Sequence, residues 1–350
     1  MLNMKRDNTI SFKIGNKTIG GSSHILIQSM STFLPSDKDN CIKQLKSLEN
    51  AGCEIVRVAL LSKADAYAIK DLKKEINIPI CCDIHFDYEL GVLAIENGAD
   101  KIRFNPGNIG SDSNLKALID KCILYNVPVR IGVNSGSIEK EYLNQDLSNK
   151  DKCVLSLKKY VKKVEDLGLK NIVLSIKLSS VTDTIDAYKE ISNMFSYPLH
   201  VGLTESGIGD NALIKSSIAI GNILNEGIGN TIRVSLTGDP INEIYAAKTI
   251  LKSLNLYSGA NLISCPTCGR TEVDLYSYAK EIDDFLKNID KKIDVAVMGC
   301  LVNGPGEAKD ADMGVAFIKT KGVLFKKGEI VFRGTPKDAI DMLKKEILNF

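Results

Sequence analysis

The chain has 350 residues, 44% of them apolar and 25% charged, and a formal charge of +2. That length is too great for one compact core and suits two or three domains, and the composition is that of a globular protein, not a disordered one. The near-neutral charge gives no electrostatic reason to expect a nucleic-acid or membrane partner. The opening "MLNMKRDNTISFKIG" carries charge without an apolar h-region, so no signal peptide is expected, and no apolar run approaches the about 20 residues of a membrane span. A soluble, cytoplasmic protein is expected, whose nine cysteines stay reduced and build no disulfide framework.

From His24 to about Leu254 the chain alternates β-branched runs with amphipathic stretches. The runs are "HILIQSM", "EIVRVAL", "IPICCDIH", "KIRFNPG", "PVRIGVN", "NIVLSIK", "PLHVGLT" and "TIRVSL", each rich in Ile, Val and Leu as buried parallel strands are. Between them, segments such as Lys63–Ile76, Asn114–Tyr125, Lys152–Leu167, Thr182–Phe195 and Asn242–Leu254 have helical periodicity. Several end in a Gly or Asn stop signal, as in "NAGC", "NGAD" and "DLGLK". Eight strands alternating with helices over roughly 230 residues predict an α/β fold, a (β/α)₈ TIM-type barrel. A doubly wound open sheet is the alternative, but "QSMSTFLPSD" is no Gly-rich turn after its first strand.

After "LNLYSGANLI" the text changes. "TEVDLYSYAKEIDDFLKNI" predicts a helix, "DVAVMGC" a strand, and "GVLFKKGEIVFRG" a hairpin turning near Lys327-Gly328. "TPKDAIDMLKKEILNF" predicts a terminal helix with Thr335 at its N-cap and Pro336 at the first helical position. The expected organisation is a barrel over 1–256 and a smaller α+β domain over 257–350.

In such a barrel, functional side chains come from the C-terminal ends of the strands and the loops after them. Those ends supply Arg57, Asp83, His85, Arg103, Asn105, Asn108, Arg130, Asn134, Ser175, Lys177, His200, Thr204, Glu205, Arg233 and Ser235. Four Arg and one Lys lie inside otherwise apolar strands, where an unpaired charge costs several kcal/mol. Each could pair with a barrel carboxylate. Against mainly Asp83 and Glu205, however, the five leave an excess of positive charge suited to an anion, and the Arg fork suits phosphate. The Gly and Asn residues of "NPGNIG" and "VNSGS" would let backbone N–H groups approach such a ligand. The set points to a phosphorylated, diphosphate-like substrate.

Six cysteines (Cys41, Cys53, Cys81, Cys82, Cys122 and Cys153) lack ligand spacing and are expected in the core. Cys265 and Cys268 in "CPTC", with Cys300 in "GCLVNGPGE", have the spacing of a metal site. All three histidines fall in the barrel, so a closed Cys₃His zinc site in the small domain is excluded, while zinc with a carboxylate or water as fourth ligand stays open. Three thiolates on a 4Fe–4S cluster would leave one iron for another ligand. Glu307, seven residues past Cys300 and behind Gly304-Pro305-Gly306, is the candidate. A carboxylate is more easily displaced than a thiolate, which suits a catalytic iron that binds a substrate oxygen. A zinc-bearing barrel lyase or transferase and a non-catalytic electron carrier are the rival classes.

"CDIHFDYEL", "RFNPGNIG", "RIGVNSGSIEK", "EGIGNTIRVSLTGDP", "CPTCGR" and "GCLVNGPGEA" together resemble the bacterial 4-hydroxy-3-methylbut-2-enyl diphosphate synthases, from about Ser23 to Gly314. The resemblance implies reductive ring opening of 2-C-methyl-D-erythritol 2,4-cyclodiphosphate in the non-mevalonate isoprenoid pathway, with electrons from reduced flavodoxin or ferredoxin. It implies a 4Fe–4S cluster on Cys265, Cys268, Cys300 and Glu307, and a substrate site of Arg57, His85, Arg103, Asn105, Arg130, Asn134, Lys177, Arg233 and Ser235. It makes Glu205 of "TESG" the proton donor to the departing hydroxyl, and implies a homodimer in which one subunit's barrel faces another's cluster domain.

Overall fold

The computed structural model describes residues 5–271, 273–287, 289, 291–300, 308 and 310–350. They form two compact units, Met1–Leu256 and Tyr257–Phe350.

The first unit opens with a hairpin, β1 (Phe12–Ile14) and β2 (Lys17–Ile19), turned at Gly15, whose φ of 55° suits a residue without a Cβ. Eight strands with intervening helices follow: β3 (Leu26–Met30), α1 (Lys38–Asn50), β4 (Ile55–Leu60), α2 (Lys63–Glu75), β5 (Ile80–Ile84), α3 (Tyr88–Glu96) and β6 (Lys101–Phe104). The series continues with α4 (Asp112–Tyr125), β7 (Val129–Asn134), the short α5 (Lys140–Leu143), α6 (Asn149–Asp166), β8 (Ile172–Lys177) and α7 (Val181–Met194). It ends with β9 (His200–Val201), α8 (Gly209–Asn225), β10 (Thr231–Ile232) and α9 (Ile241–Ser253).

The strands are parallel, in the order β8-β7-β6-β5-β4-β3-β10-β9, and a parallel bridge between Leu174 and Leu199 closes the ring. The barrel expected from the alternating pattern is therefore present. Two of its strands are much shorter than their runs suggest, with β9 and β10 regular over two residues each. There the backbone of Gly202 comes so close to the Arg233 carbonyl that an added Cβ would sit 2.6 Å from it.

Helix starts follow local chemistry. Ser62 and Asp65 form a capping box at α2, and the side chains of Ser111, Ser148 and Ser180 cap α4, α6 and α7. Asp65 is fully buried; burial alone would raise its pKa, but hydrogen bonds from Ser36 and Ser62 hold it below the usual value. The six cysteines outside the candidate metal site are all buried.

The barrel has an apolar floor. Phe12, Ile14 and Ile19 of the hairpin pack on Leu26, Ile55, Cys81 and Val173 at the N-terminal ends of the strands. Above it the interior is polar. Lys101 on β6 donates across the barrel to Gln28 Oε1 on β3 (3.1 Å), and His200 Nδ1 meets Thr231 Oγ1 (3.1 Å). Arg130, 1% exposed, belongs to the same buried region.

The second unit contains β11 (Ala260–Ser264), α10 (Leu275–Leu286), β12 (Ile293–Met298), β13 (Met313–Ile318), β14 (Lys321–Lys326), β15 (Glu329–Gly334) and α11 (Pro336–Asn349). The sheet runs β11-β12-β13-β14-β15, parallel over the first three strands and antiparallel thereafter. Lys327 and Gly328 turn the expected hairpin, both with positive φ. Thr335 and Asp338 form a capping box behind Pro336. Leu275, Ile282 and Leu286 of α10, with Ile340, Leu343 and Ile347 of α11, cover Val295, Val297, Val315, Phe317 and Leu324 on one sheet face. The other face packs Ala296, Met298, Ala316 and Phe325 against Ala308 and Ala311.

Candidate active site

Alternation along the strands places one face of each inside the barrel, and at the C-terminal mouth those faces enclose a cavity of about 250 Å³. Its wall carries eight of the nine side chains expected at the substrate site, Arg57, His85, Arg103, Arg130, Asn134, Lys177, Arg233 and Ser235, together with Met30, Asp83, Ser175 and Thr204.

The cations are held in distinct ways. Arg103 Nη1 donates to Asp83 Oδ1 (2.9 Å) and Nη2 to the Gly132 carbonyl (3.3 Å). Gly132 makes that approach feasible, since a Cβ there would lie 3.0 Å from Arg103 Nε. Arg57 reaches Asp83 at 3.6 Å and directs Nε and Nη2 at the Met30 sulfur (3.0 and 2.7 Å). His85 stands 3.7 Å from the same carboxylate and meets Asn108 through Nδ1. Asp83 thus serves three groups. Burial would raise its pKa, but Arg57, His85, Arg103 and Arg130 hold it well below the usual carboxylate range.

Arg233 is gripped by Glu243 on α9, Nε to Oε2 at 3.1 Å and Nη2 to Oε1 at 2.9 Å. Glu243, 2% exposed, also accepts from Ser29 Oγ (2.7 Å) and the Leu236 amide (3.2 Å). Arg130 and Lys177 make no ion pair among the described residues, and Arg130 Nε and Nη1 are buried without a protein acceptor. Burial, then the neighbouring guanidiniums, lower the Lys177 pKa well below its ordinary value. The same burial brings Arg57 down to about 9 and Arg130 to about 10, so both remain charged at neutral pH.

The structure places several of these side chains differently from what the strand pattern suggests. The carboxylates that offset the strand cations are Asp83 and Glu243, not Asp83 and Glu205. Glu205 is exposed on the loop after β9, in a left-handed conformation (φ 52°), and is not part of the described cavity wall. Asn105 is also outside the wall: 2% exposed, it accepts the Gly107 amide (3.2 Å) and caps the 3₁₀ turn Pro106–Asn108. His200 starts its strand instead of ending it, so it lies in the barrel interior with a pKa well below the usual value because of burial. Lys101 opens β6. It is fully buried with a pKa pushed down to about 8 by burial, and it shares the inward face of β6 with Arg103.

In the second unit, Cys265 is half-buried on β11's exit and accepts the Gly299 amide at its sulfur (3.3 Å). This contact brings the "CPTC" loop beside the residue preceding Cys300. Cys268 is exposed, and hydrogen bonds from the Arg270 backbone and side chain and from Thr271 lower its pKa. Cys300 is half-buried, and Glu307 lies outside the described residues. Among the described residues, no three His, Cys, Asp or Glu side chains stand close enough to hold a metal ion. The donor set nonetheless fits an iron–sulfur group: three thiols from two adjoining loops, one already accepting a backbone N–H as cluster-ligating sulfurs do.

The sequence matches the GcpE TIM-barrel domain over residues 9–248 and the GcpE protein C-terminal domain over residues 261–349. The chain belongs to the GcpE family. Among curated relatives, the 4-hydroxy-3-methylbut-2-en-1-yl diphosphate synthase (flavodoxin) of Caldanaerobacter subterraneus is 49% identical over 341 residues, 97% of this chain and 96% of that protein. The same-named protein of Clostridium tetani is 48% identical over 348 residues, 99% of this chain and all of that one. Two solved structures at low identity share the fold over part of the chain. Yersinia pestis dihydropteroate synthase superposes with a TM-score of 0.52 at 12% identity, covering 71% of this chain and 99% of that one. A type I 3-dehydroquinate dehydratase from Clostridium difficile gives 0.52 at 14%, covering 71% and 98%. No helix among the described residues is long and apolar enough to cross a membrane.

Proposed function

We propose that this GcpE-family chain is a 4-hydroxy-3-methylbut-2-en-1-yl diphosphate synthase, an oxidoreductase that reductively opens 2-C-methyl-D-erythritol 2,4-cyclodiphosphate. The observation that carries the substrate assignment is the barrel mouth, where four guanidiniums and Lys177 surround a 250 Å³ cavity against two carboxylates. Such an excess of cationic donors, held in place before a ligand arrives, suits a diphosphate.

In this reading Arg130 and Lys177, free of carboxylate partners among the described residues, bind the diphosphate oxygens directly. Arg57, Arg103 and Arg233, oriented by Asp83 and Glu243, fix its placement. Asn134, Ser235 and His85 supply hydrogen bonds around the rest of the ring, and Asn105 acts through the turn it caps. Glu205, exposed on the loop after β9, would hold a proton for the departing hydroxyl. Cys265, Cys268 and Cys300, with Glu307, would hold a 4Fe–4S cluster. When bound, that cluster supplies two electrons singly and an open iron for a substrate oxygen. The balance is two electrons and one proton in, a ring C–O bond to phosphate broken, and the hydroxyl lost as water. Reduced flavodoxin or ferredoxin is the donor, the enzyme works in the cytoplasm, and it acts as a homodimer.

Protein purified without oxygen should be brown, should contain iron and acid-labile sulfide in equal amounts, and should convert the cyclodiphosphate with a chemical reductant. Colourless, active protein, or a Cys300→Ser protein of undiminished activity, would sink the proposal.

A further inference from the structure

Lys177 is the least accounted-for cation of the cavity. It is 7% exposed, and among the described residues neither a carboxylate nor a hydrogen-bond acceptor partners it. Its Nζ lies over Gly202, where an added Cβ would come within 3.0 Å, so the amine occupies space that any other residue would fill. The titratable and charged groups that share its cavity are Arg130 from β7, Arg233 just past β10, Arg57 from β4, Asp83 and His85 from β5 and its exit, and Arg103 from β6. Below lie His200 and Lys101.

The charge balance is unusual for a ligand-free site. Four guanidiniums against Asp83 and Glu243 leave two positive charges before Lys177 is considered. A cyclic diphosphate carries two negative charges at neutral pH, because each phosphorus keeps one strongly acidic oxygen. The guanidiniums alone therefore match it. Opening the ring frees another phosphate oxygen, and a protonated Lys177 would match that third charge.

We propose that Lys177 is a neutral amine in the ligand-free cavity and takes one proton from solution when the cyclodiphosphate binds, so that the site holds the ammonium before the ring opens. This rests on the diphosphate reading of the cavity. Burial and the push of Arg233, Arg130, Arg57 and Arg103 favour the neutral form in the free site, in that order. An arriving dianion reverses the local potential and raises the amine's affinity for a proton. A lysine, unlike an arginine, can make this change, which gives a reason for one Lys among four Arg.

The test is titration calorimetry of the intact, anaerobically prepared protein with 2-C-methyl-D-erythritol 2,4-cyclodiphosphate and no reductant. It is run near pH 7, where Lys101, with its pKa about 8, already largely holds its proton, in buffers of different ionisation heat. The ligand does not titrate in this range, so any proton taken up goes to the protein. Wild type should take up about one proton per ligand and lose affinity as pH rises. Lys177→Arg, with a fixed charge, should bind with no proton uptake at that pH. Lys177→Gln should bind more weakly, also without uptake, while His85→Asn should keep it. Binding by wild type without proton uptake overturns the proposal. Undiminished uptake by Lys177→Gln also overturns it, placing the proton on Lys101 or another group. Should one Lys177 variant fail to fold, the proton count of the other decides whether Lys177 takes the proton. No binding by wild type would instead defeat the diphosphate reading.

Discussion

Glu243 is the side chain on which the Arg233 wall of the cavity depends. Its Oε1 accepts from Arg233 Nη2 and the Leu236 amide, and its Oε2 from Arg233 Nε and Ser29 Oγ. In Glu243→Gln the new NH₂ must replace one oxygen. At Oε1 it opposes two N–H donors. At Oε2 it opposes only Arg233 Nε, because the Ser29 hydroxyl can turn toward the Pro240 carbonyl, 3.5 Å away. Even this better arrangement removes the charge and one arm of the fork from a guanidinium whose side chain is 14% exposed. Breaking a buried pair on one side costs about 3–5 kcal/mol. At roughly 2–4 °C per kcal/mol for a unit of this size, the barrel's melting temperature should fall by about 6–20 °C. Calorimetry, with the barrel transition separated from that of the second unit, measures it. Glu243→Met combined with Arg233→Met removes both charges and should recover most of the loss while abolishing diphosphate binding. A Glu243→Gln cost under about 1 kcal/mol, or a double variant no more stable than the single, would mean that Glu243 is not what holds the Arg233 guanidinium.

Three further outcomes are expected. The Asp83 carboxylate is held below its unfolded pKa, so the stability it contributes is complete above about pH 4 and is lost as pH falls through its native value. The stability gap between wild type and Asp83→Asn, read from urea unfolding of the barrel, should therefore shrink between pH 6 and pH 3; a constant gap would count against the assignment. In the second unit, a Cβ on Gly314 would lie 2.6 Å from Ala296 Cβ, the Ala296 carbonyl and Phe325 Cζ. Gly314→Ala should destabilise that unit by about 1–3 kcal/mol, and an unchanged melting curve would contradict this packing. Cys268, exposed and with its pKa lowered, contributes no core packing. Cys268→Ser should keep the fold by circular dichroism yet lose bound iron in anaerobic metal analysis, and full retention of iron would remove it from the ligand set.

The barrel was legible because its strands are β-branched runs at helix-sized intervals, and its cations because an Arg in such a run is conspicuous. Their partners were less so. Glu243 sits in α9, where a Glu ordinarily faces water, yet it falls on the stripe of Ile244, Ala247, Ile250 and Leu251 that buries this helix. A carboxylate on an apolar stripe was the available signal. Lys101 opens β6 and looks like a strand flank, although the two-residue period puts it on the inward face with Arg103. The contact to Gln28 that explains it crosses the barrel between strands 73 residues apart in sequence. In the second unit the capped helix and the hairpin followed from local turn chemistry. β11 and β13 did not, because their pairing with β12 is settled by tertiary contacts.

The floor and the mouth of the barrel are physically linked. An interior that holds Lys101, Arg130 and His200 would draw in water from below if its N-terminal end were open, and water would screen the charges above. The hairpin prevents this by seating Phe12, Ile14 and Ile19 on Leu26, Ile55, Cys81 and Val173, a closed apolar layer in which Ile14, Ile19, Leu26, Ile55, Cys81 and Val173 are fully buried. With that end closed, the effective dielectric around the cations stays well below that of water, where a pair of charges at 4 Å interacts with only about 1 kcal/mol. The same closure makes Lys177 costly to keep charged in the free site and makes an anion at the mouth effective in charging it. A short hairpin, far in sequence from every cavity cation, thereby governs both the strength of the cavity's field and the state of the lysine within it.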